Sequence, residues 1–260
     1  FGEFHTIGIV RNAYDKNSRR FFEIEDITGS ITLSFDPTKT DLENISVDDV
    51  AGFSGVVRNK IIFGKQIILP DMPLRKPTLG YGRICCISDL HLDEAPTKDI
   101  EKMFQWLGKS NTEYVFIVGK IGDFAMLKRI MRPISGKTVF LVSSDNGFPS
   151  AARNSDMENV IDLGNPSLIE LNGVKILLST EANVSMLKKR YIGKSSVPYD
   201  SLILDDIPDI ILYAGAQKPF VENYKSITLV TAGSTLTEFL PYIINLGTRD
   251  YGQIFIDKLK

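Results

Sequence analysis

The tetrapeptide Ser88-Asp89-Leu90-His91 directly follows the apolar run Ile84-Cys85-Cys86-Ile87. If that run is a strand, a carboxylate and an imidazole two residues apart emerge just beyond its C-terminal end. There they could offer one oxygen and one nitrogen to a hard or borderline cation. Asp-x-His alone is weak evidence of a site. The chain holds only 2 histidines, His5 and His91, and imidazole is the commonest side-chain ligand of catalytic transition metals near neutral pH. His5 lies in an alternating segment and reads as a satisfied strand residue. A different chemistry is offered by the stretch Arg11 to Arg20, read as a loop, where Arg11, Lys16, Arg19 and Arg20 surround Tyr14. Basic side chains beside an aromatic ring can hold single-stranded nucleic acid, although a solvated loop has the same composition. Lys188, Lys189 and Arg190 read as an exposed helix face.

The elements that must position these residues change character along the chain. Residues 1–72 read as five short strands, Phe4–Arg11, Phe21–Glu25, Ser30–Phe35, Val50–Arg58 and Ile61–Leu69, with a polar break at Pro37–Asp49 that could hold one helical turn. Ile31, Leu33 and Phe35 share one face with the period of a half-buried strand. The pattern fits a Greek-key barrel of the OB type. Residues 73–82, with Pro73 and Pro77 after Pro70, read as an extended linker. From residue 83 to 260 strands alternate with helices, first at Thr97–Leu107, where Ile100, Met103, Phe104 and Leu107 form an apolar stripe and Gly108 reads as the stop. Strands are expected at Tyr114–Val118, Val139–Val142, Ile210–Ala214, Ile227–Thr231 and Ile254–Ile256, a helix at Phe124–Met131, and a hairpin at Asn172-Gly173. The fold class is therefore α/β plus all-β: a barrel followed by a sandwich of two mixed sheets flanked by helices. Phe239, Tyr242 and Ile243 are candidate interface anchors for which burial is the simpler account.

Composition restricts the function. A net charge of -2 argues against a protein that coats nucleic acid electrostatically, so DNA contact would be local or partner-assisted. No apolar run reaches the ~20 residues of a membrane-spanning helix, the opening residues show no signal pattern, and no membrane partner is expected. Cys85 and Cys86, adjacent in a strand, point to opposite faces and read as buried thiols of a reducing, cytoplasmic compartment.

The Ser88-Asp89-Leu90-His91 turn resembles the opening motif of calcineurin-like metallophosphoesterases. With Glu25-Asp26-Ile27-Thr28-Gly29, Leu69-Pro70-Asp71-Met72-Pro73 and the stretch from Pro208-Asp209-Ile210-Ile211 to Ala232-Gly233-Ser234, the chain more specifically resembles the small subunit of archaeal family-D DNA polymerase and the B-subunits of eukaryotic replicative polymerases. The resemblance implies a two-metal phosphoesterase site, and its later motifs are broken. Where the family has a bridging Asp after Gly, Gly119 is followed by Lys120, and Asp123 matches the motif's last acid. Gly-Asn-His-Asp becomes Ser144-Asp145-Asn146-Gly147, the next histidine falls near Thr180, and Gly-His-x-His becomes Gly215-Ala216-Gln217-Lys218. Remnant or replaced ligand positions are thus Asp89, His91, Lys120, Asp145, Asn146, Thr180, Ala216 and Lys218. An ammonium ~4 Å from a cation is repelled by several kcal/mol at intermediate dielectric, so Lys120 and Lys218 disfavour metal. A Lys120–Asp89 ion pair is expected in its place, the alternative being that Lys120 extends into solvent and Asp89 accepts backbone N–H bonds.

The resemblance implies a non-catalytic accessory subunit, with no catalytic residues, no metal and no cofactor, whose partner is the catalytic subunit of an archaeal DNA polymerase. The alternatives are a phosphodiesterase or 3'-5' exonuclease with a reduced site using Asp89, His91, Asp123 and Asp145, and a free-standing single-stranded-DNA-binding module.

Overall fold

The computed structural model describes residues 2–38, 42, 44–58, 61–145, 157–192 and 202–259. They divide into two compact units, Phe1–Met72 with Asn183–Asp205 and Pro73–Ala182 with Asp206–Lys260. The stretch from residue 83 to 260 is therefore not one uninterrupted unit. Part of it joins the barrel, for reasons that lie in a buried ion pair described below.

In the first unit β1 (Glu3–Lys16), β2 (Arg19–Asp26), β3 (Gly29–Phe35), β4 (Val50–Arg58) and β5 (Ile61–Ile68) close a barrel in the order β1-β2-β3-β5-β4. Closure leaves no unpaired edge. It is completed by parallel pairing of β3 with β5, which is why the chain must break and cross between β3 and β4. Phe22, Leu33 and Ile62 fill one cross-strand row of the interior with Val10, Ile24, Phe35 and Phe53 around them. The first two strands run much further than expected. Residues 11–20 are not a loop: Asn17 and Ser18, both with positive φ, turn the chain in two residues, and Lys16 pairs with Arg19 and Tyr14 with Phe21 across a long ribbon. The described residues of 37–49 contain no helix.

The second unit holds two sheets. One has the order β16-β15-β6-β7-β8-β9. In it β6 (Arg83–Ser88), β7 (Tyr114–Gly119), β8 (Thr138–Ser143) and β9 (Val160–Asp162) are parallel, while β15 (Tyr242–Asn245) and β16 (Tyr251–Gln253) are antiparallel. The other has the order β10-β11-β12-β14-β13: β10 (Ser167–Leu171), β11 (Val174–Ser179), β12 (Ile210–Tyr213), β13 (Phe220–Tyr224) and β14 (Ile227–Thr231). Its centre, β11-β12-β14, is parallel and only its edges are antiparallel. Central strands such as Val115–Val118 are buried on both faces, which explains their unbroken apolar runs. Cys86, Phe116 and Val118 pack between the sheets against Ile176, Leu178 and Leu212. Cys85, Val115 and Ile117 pack on the other side against Met103, Phe104 and Leu107 of α1 (Thr97–Lys109), with α2 (Phe124–Ile130) beside it. The two thiols do face opposite ways, and both are free and buried.

Two local expectations differ from the structure. Gly108 does not stop α1, which continues to Lys109. It is small because any Cβ there would run into the carbonyl of Pro133. Ile254–Ile256 is not a strand; Tyr242–Asn245 is, because it pairs with β6 through Tyr242–Cys86. That pairing leaves Tyr242 2% exposed, so it is no surface anchor.

Candidate functional site

In the second unit the C-terminal ends of β6, β7, β8 and β12 bring the motif residues together. Asp89 follows β6 in the left-handed region (φ 45), as does His91 (φ 44), a conformation that costs a non-glycine residue of order 1 kcal/mol and is held only by surrounding contacts. Those contacts are specific. The Asp89 backbone N–H donates to Val118 O (3.0 Å), and its carbonyl accepts from the N–H of Thr235 (3.1 Å). Its side chain belongs to a residue 6% exposed, and both oxygens are occupied: Oδ1 by the Lys120 N–H (3.0 Å) and Oδ2 by the Gly215 N–H (2.6 Å). Asp89 thus ties the end of β6 to the ends of β7 and β12. Gly119 permits this at φ 102, because a Cβ would press into Asp89 Oδ1 and Ala214 Cβ.

Lys120 does not pair with Asp89. Its Nζ lies 2.9 Å from Asp145 Oδ1 and 3.9 Å from Asp93 Oδ2. Asp89 is held by two backbone donors and needs no ammonium for its charge to be hydrogen-bonded, whereas Lys120 reaches the acid after β8, whose side chain is 10% exposed. The other oxygen of Asp145 accepts from the Ile121 N–H (2.7 Å) and Ser143 Oγ (2.9 Å). Burial works against the Asp145 anion, but the Ile121, Lys120 and Ser143 hydrogen bonds outweigh it and hold the carboxyl below the usual carboxylate range. The same hydrogen bond and charge raise the Lys120 ammonium above its ordinary value, with Asp93 and Glu94 adding to the effect.

His91 donates its backbone N–H to Lys120 O (3.2 Å), and its Nδ1 is buried without a hydrogen-bond partner. Its ring lies with the exposed acids Asp93 and Glu94, ligand atoms within 4.8 Å of one another, as the one candidate cation cluster among the described residues. Asp123 caps α2 by accepting the Met126 N–H (2.9 Å). Thr180 is bonded through its N–H and its hydroxyl to Asn165. Ala216 is half-buried, and Lys218 is exposed, with no ion pair among the described residues. Asn146 lies outside the described residues. Asp93, Glu94, Ser143 and Thr235 also line this region; Ser143 closes β8 two residues before Asp145, whereas Asp89 follows β6 directly, so no repeated spacing in the sequence marked it.

In the first unit the basic residues serve different ends. Arg11 is the extra residue of a β-bulge and pairs with Glu25 (3.2 Å) and Asp48 (4.0 Å). Arg20 pairs with Asp15 (2.8 Å), and Lys16 is exposed. Tyr14 stacks on Phe21 at 5.3 Å, while Arg19 is bound to Ser34 (2.6 and 2.9 Å) and lies over Phe63 at 5.4 Å. Lys189 is no exposed charge: it pairs with Asp49 at 2.6 Å, with side chains 12% and 0% exposed, and Tyr191 also donates to Asp49. Burial opposes the Asp49 anion, but hydrogen bonds from Lys189, Tyr191 and Ser46 hold its carboxyl below the ordinary range. This cluster fastens residues 183–205 to the barrel.

No family model matches the chain. The DNA polymerase II small subunit of Archaeoglobus fulgidus is 22% identical over 81% of this chain and 58% of that protein. The small subunit of Pyrococcus furiosus is 22% identical over 90% and 52%, and that of Thermoplasma acidophilum 23% over 90% and 63%. The chain thus spans between about half and two thirds of the length of these relatives. Among solved structures, a predicted phosphoesterase from Streptococcus pneumoniae covers 69% of this chain and 92% of its own at 15% identity and TM-score 0.43. Vps29 of Chaetomium thermophilum covers 67% and 95% at 13% and 0.43. TM-scores of that size do not bear on the site. The similarity does extend beyond the motifs that first pointed to it: along most of its length this chain is similar in sequence to the archaeal DNA polymerase II small subunits.

Proposed function

We propose that the chain is a non-catalytic accessory subunit of an archaeal DNA polymerase, and that its partner is the catalytic polymerase subunit in the cytoplasm. In this reading residues 1–72 form an OB-type domain, 73–82 a linker and 83–260, apart from the segment that joins the barrel, a phosphoesterase-type sandwich that no longer hydrolyses phosphate esters. One observation carries the loss of chemistry: the Lys120 ammonium lies between Asp145 and Asp93 beside His91.

The donor set does not fit a two-cation centre. Both Asp89 oxygens already accept a backbone N–H, Thr180 and Ala216 bring no nitrogen, and Lys120 stands where a carboxylate would bridge two cations. His91 Nδ1, buried and unpartnered, could still take a cation, but a single imidazole does not supply the nitrogens that a two-cation centre of this type would need. A one-metal hydrolase would have to work through His91, Asp93 and Glu94, whose acids are exposed and face the positive charge of Lys120. The OB assignment rests on strand order and on the parallel closure of β3 with β5.

Purification of the tagged chain from its native cells tests the partnership. Stoichiometric recovery of a large polymerase chain is expected, and recovery of the tagged chain alone from cells that contain such a polymerase overturns it.

A further inference from the structure

We infer that the outer face of the barrel carries a platform for single-stranded nucleic acid, built from Tyr14, Phe21 and Phe63 with the guanidinium groups of Arg19 and Arg58. This deepens the DNA contact of the proposed accessory subunit but needs only the barrel. Strand register places Tyr14 opposite Phe21, Phe21 opposite Ser34 and Ser34 opposite Phe63, one row across β1, β2, β3 and β5. The neighbouring row Phe22, Leu33, Ile62 is wholly buried, so the row of Tyr14, Phe21 and Phe63 faces outward. Its rings remain accessible: Phe63 is 38% exposed and Tyr14 and Phe21 are half-buried.

The row is interleaved with cations. Two hydrogen bonds to Ser34 hold the Arg19 guanidinium beside that small residue, over Phe63 at 5.4 Å, and Arg58 approaches the same ring at 6.0 Å. Tyr14 and Phe21 are parallel to within 5°. Flat rings and planar cations in one line are what successive bases stack upon, and every base has a face to offer. Charge sets the direction. Towards the turn the same face carries Lys16 and Arg19, while Glu23 lies on the opposite side of the row, so phosphates belong on the turn side. Arg11 and Arg20 are already matched by Glu25 and Asp15 and are not part of the platform.

Fluorescence anisotropy of the full chain with labelled oligothymidylate, oligouridylate and a DNA duplex tests this. Both single strands are expected to bind more tightly than the duplex, any preference between them identifying which strand the site serves. Phe63→Leu and Phe21→Leu keep apolar volume but lose the flat face, and each is expected to weaken binding about tenfold at unchanged thermal stability. Arg19→Gln should lower the salt slope by about 0.7, one phosphate contact, and Arg20→Gln should leave it unchanged. Equal binding of duplex, indifference to Phe63→Leu, or no binding at low salt overturns the platform. So does a Phe63→Leu chain that loses its co-purifying polymerase while the wild type binds no oligonucleotide, since the face is then a protein interface. A wild-type chain that binds the oligonucleotides but recovers no polymerase counts instead against the accessory-subunit reading.

Discussion

Asp89 keeps its place in the pocket by doing work that needs no metal. With both oxygens bound to backbone N–H groups, it joins three strand ends, and its loss would leave two buried donors without partners. Asp89→Ala is expected to lower stability by about 1–3 kcal/mol in urea unfolding, whether or not divalent ions are present. A cost that appeared only with added Mn²⁺ would contradict a purely structural role. Gly119→Ala should cost at least as much, through its positive φ and the clash with Asp89. Lys120→Met removes a pair that is partly solvated, so only a small loss of stability, well below that of Asp89→Ala, is expected. Asp145 titrates below its unfolded value, so its stabilisation is complete above about pH 4 and is lost as the pH falls through its lowered folded value. An acid-unfolding midpoint that did not move in Lys120→Met would show that the ammonium contributes nothing. At this scale the residues that meet at the strand ends were legible in the sequence; the partner that Lys120 takes was not. Lys120 and Asp89 are linked through the lysine's backbone, and only the fold reveals that its ammonium reaches the acid after β8 instead.

Among the elements, the helix Val184–Lys189 shows what a linear reading omits. Lys188, Lys189 and Arg190 have the composition of a solvated face, yet Lys189 ends in a buried pair with Asp49, more than a hundred residues away in sequence. Lys189→Met leaves the Asp49 anion buried, and a loss of about 3–5 kcal/mol is expected in the barrel unit, with Asp49→Asn milder. Hydrogen exchange of residues 184–192 measures it; unchanged protection in Lys189→Met would contradict the fastening role. Asp49 is also held below its unfolded value, so this contribution is lost only in acid, as the pH falls through the folded value. The apolar stripe of α1 and the Asn172-Gly173 hairpin were readable because period and turn chemistry are local. The β1–β2 ribbon was missed because its polar residues alternate over a barrel wall whose exposed side tolerates them, and Asn17-Ser18 is a weaker turn signal than Asn-Gly.

For the whole molecule, a closed barrel and a two-sheet sandwich supply rigid elements, and in the proposed reading they no longer carry a donor set for two cations. Lys120, not a carboxylate, follows Gly119; Ala216 and Lys218 follow Gly215. Which residues stand at those positions was legible once the motifs had been placed in order. The barrel platform was not, because its row is assembled from four strands and Phe63 lies far along the chain from Tyr14. Equilibrium dialysis of the intact chain against Mn²⁺ and Zn²⁺ at neutral pH, with elemental analysis and a phosphodiester-hydrolysis assay on the same sample, tests the central claim most directly. The account predicts no stoichiometric metal and no metal-dependent hydrolysis. A dinuclear load of Mn²⁺ or Zn²⁺ lost in His91→Ala, with hydrolysis that follows the metal, would contradict it.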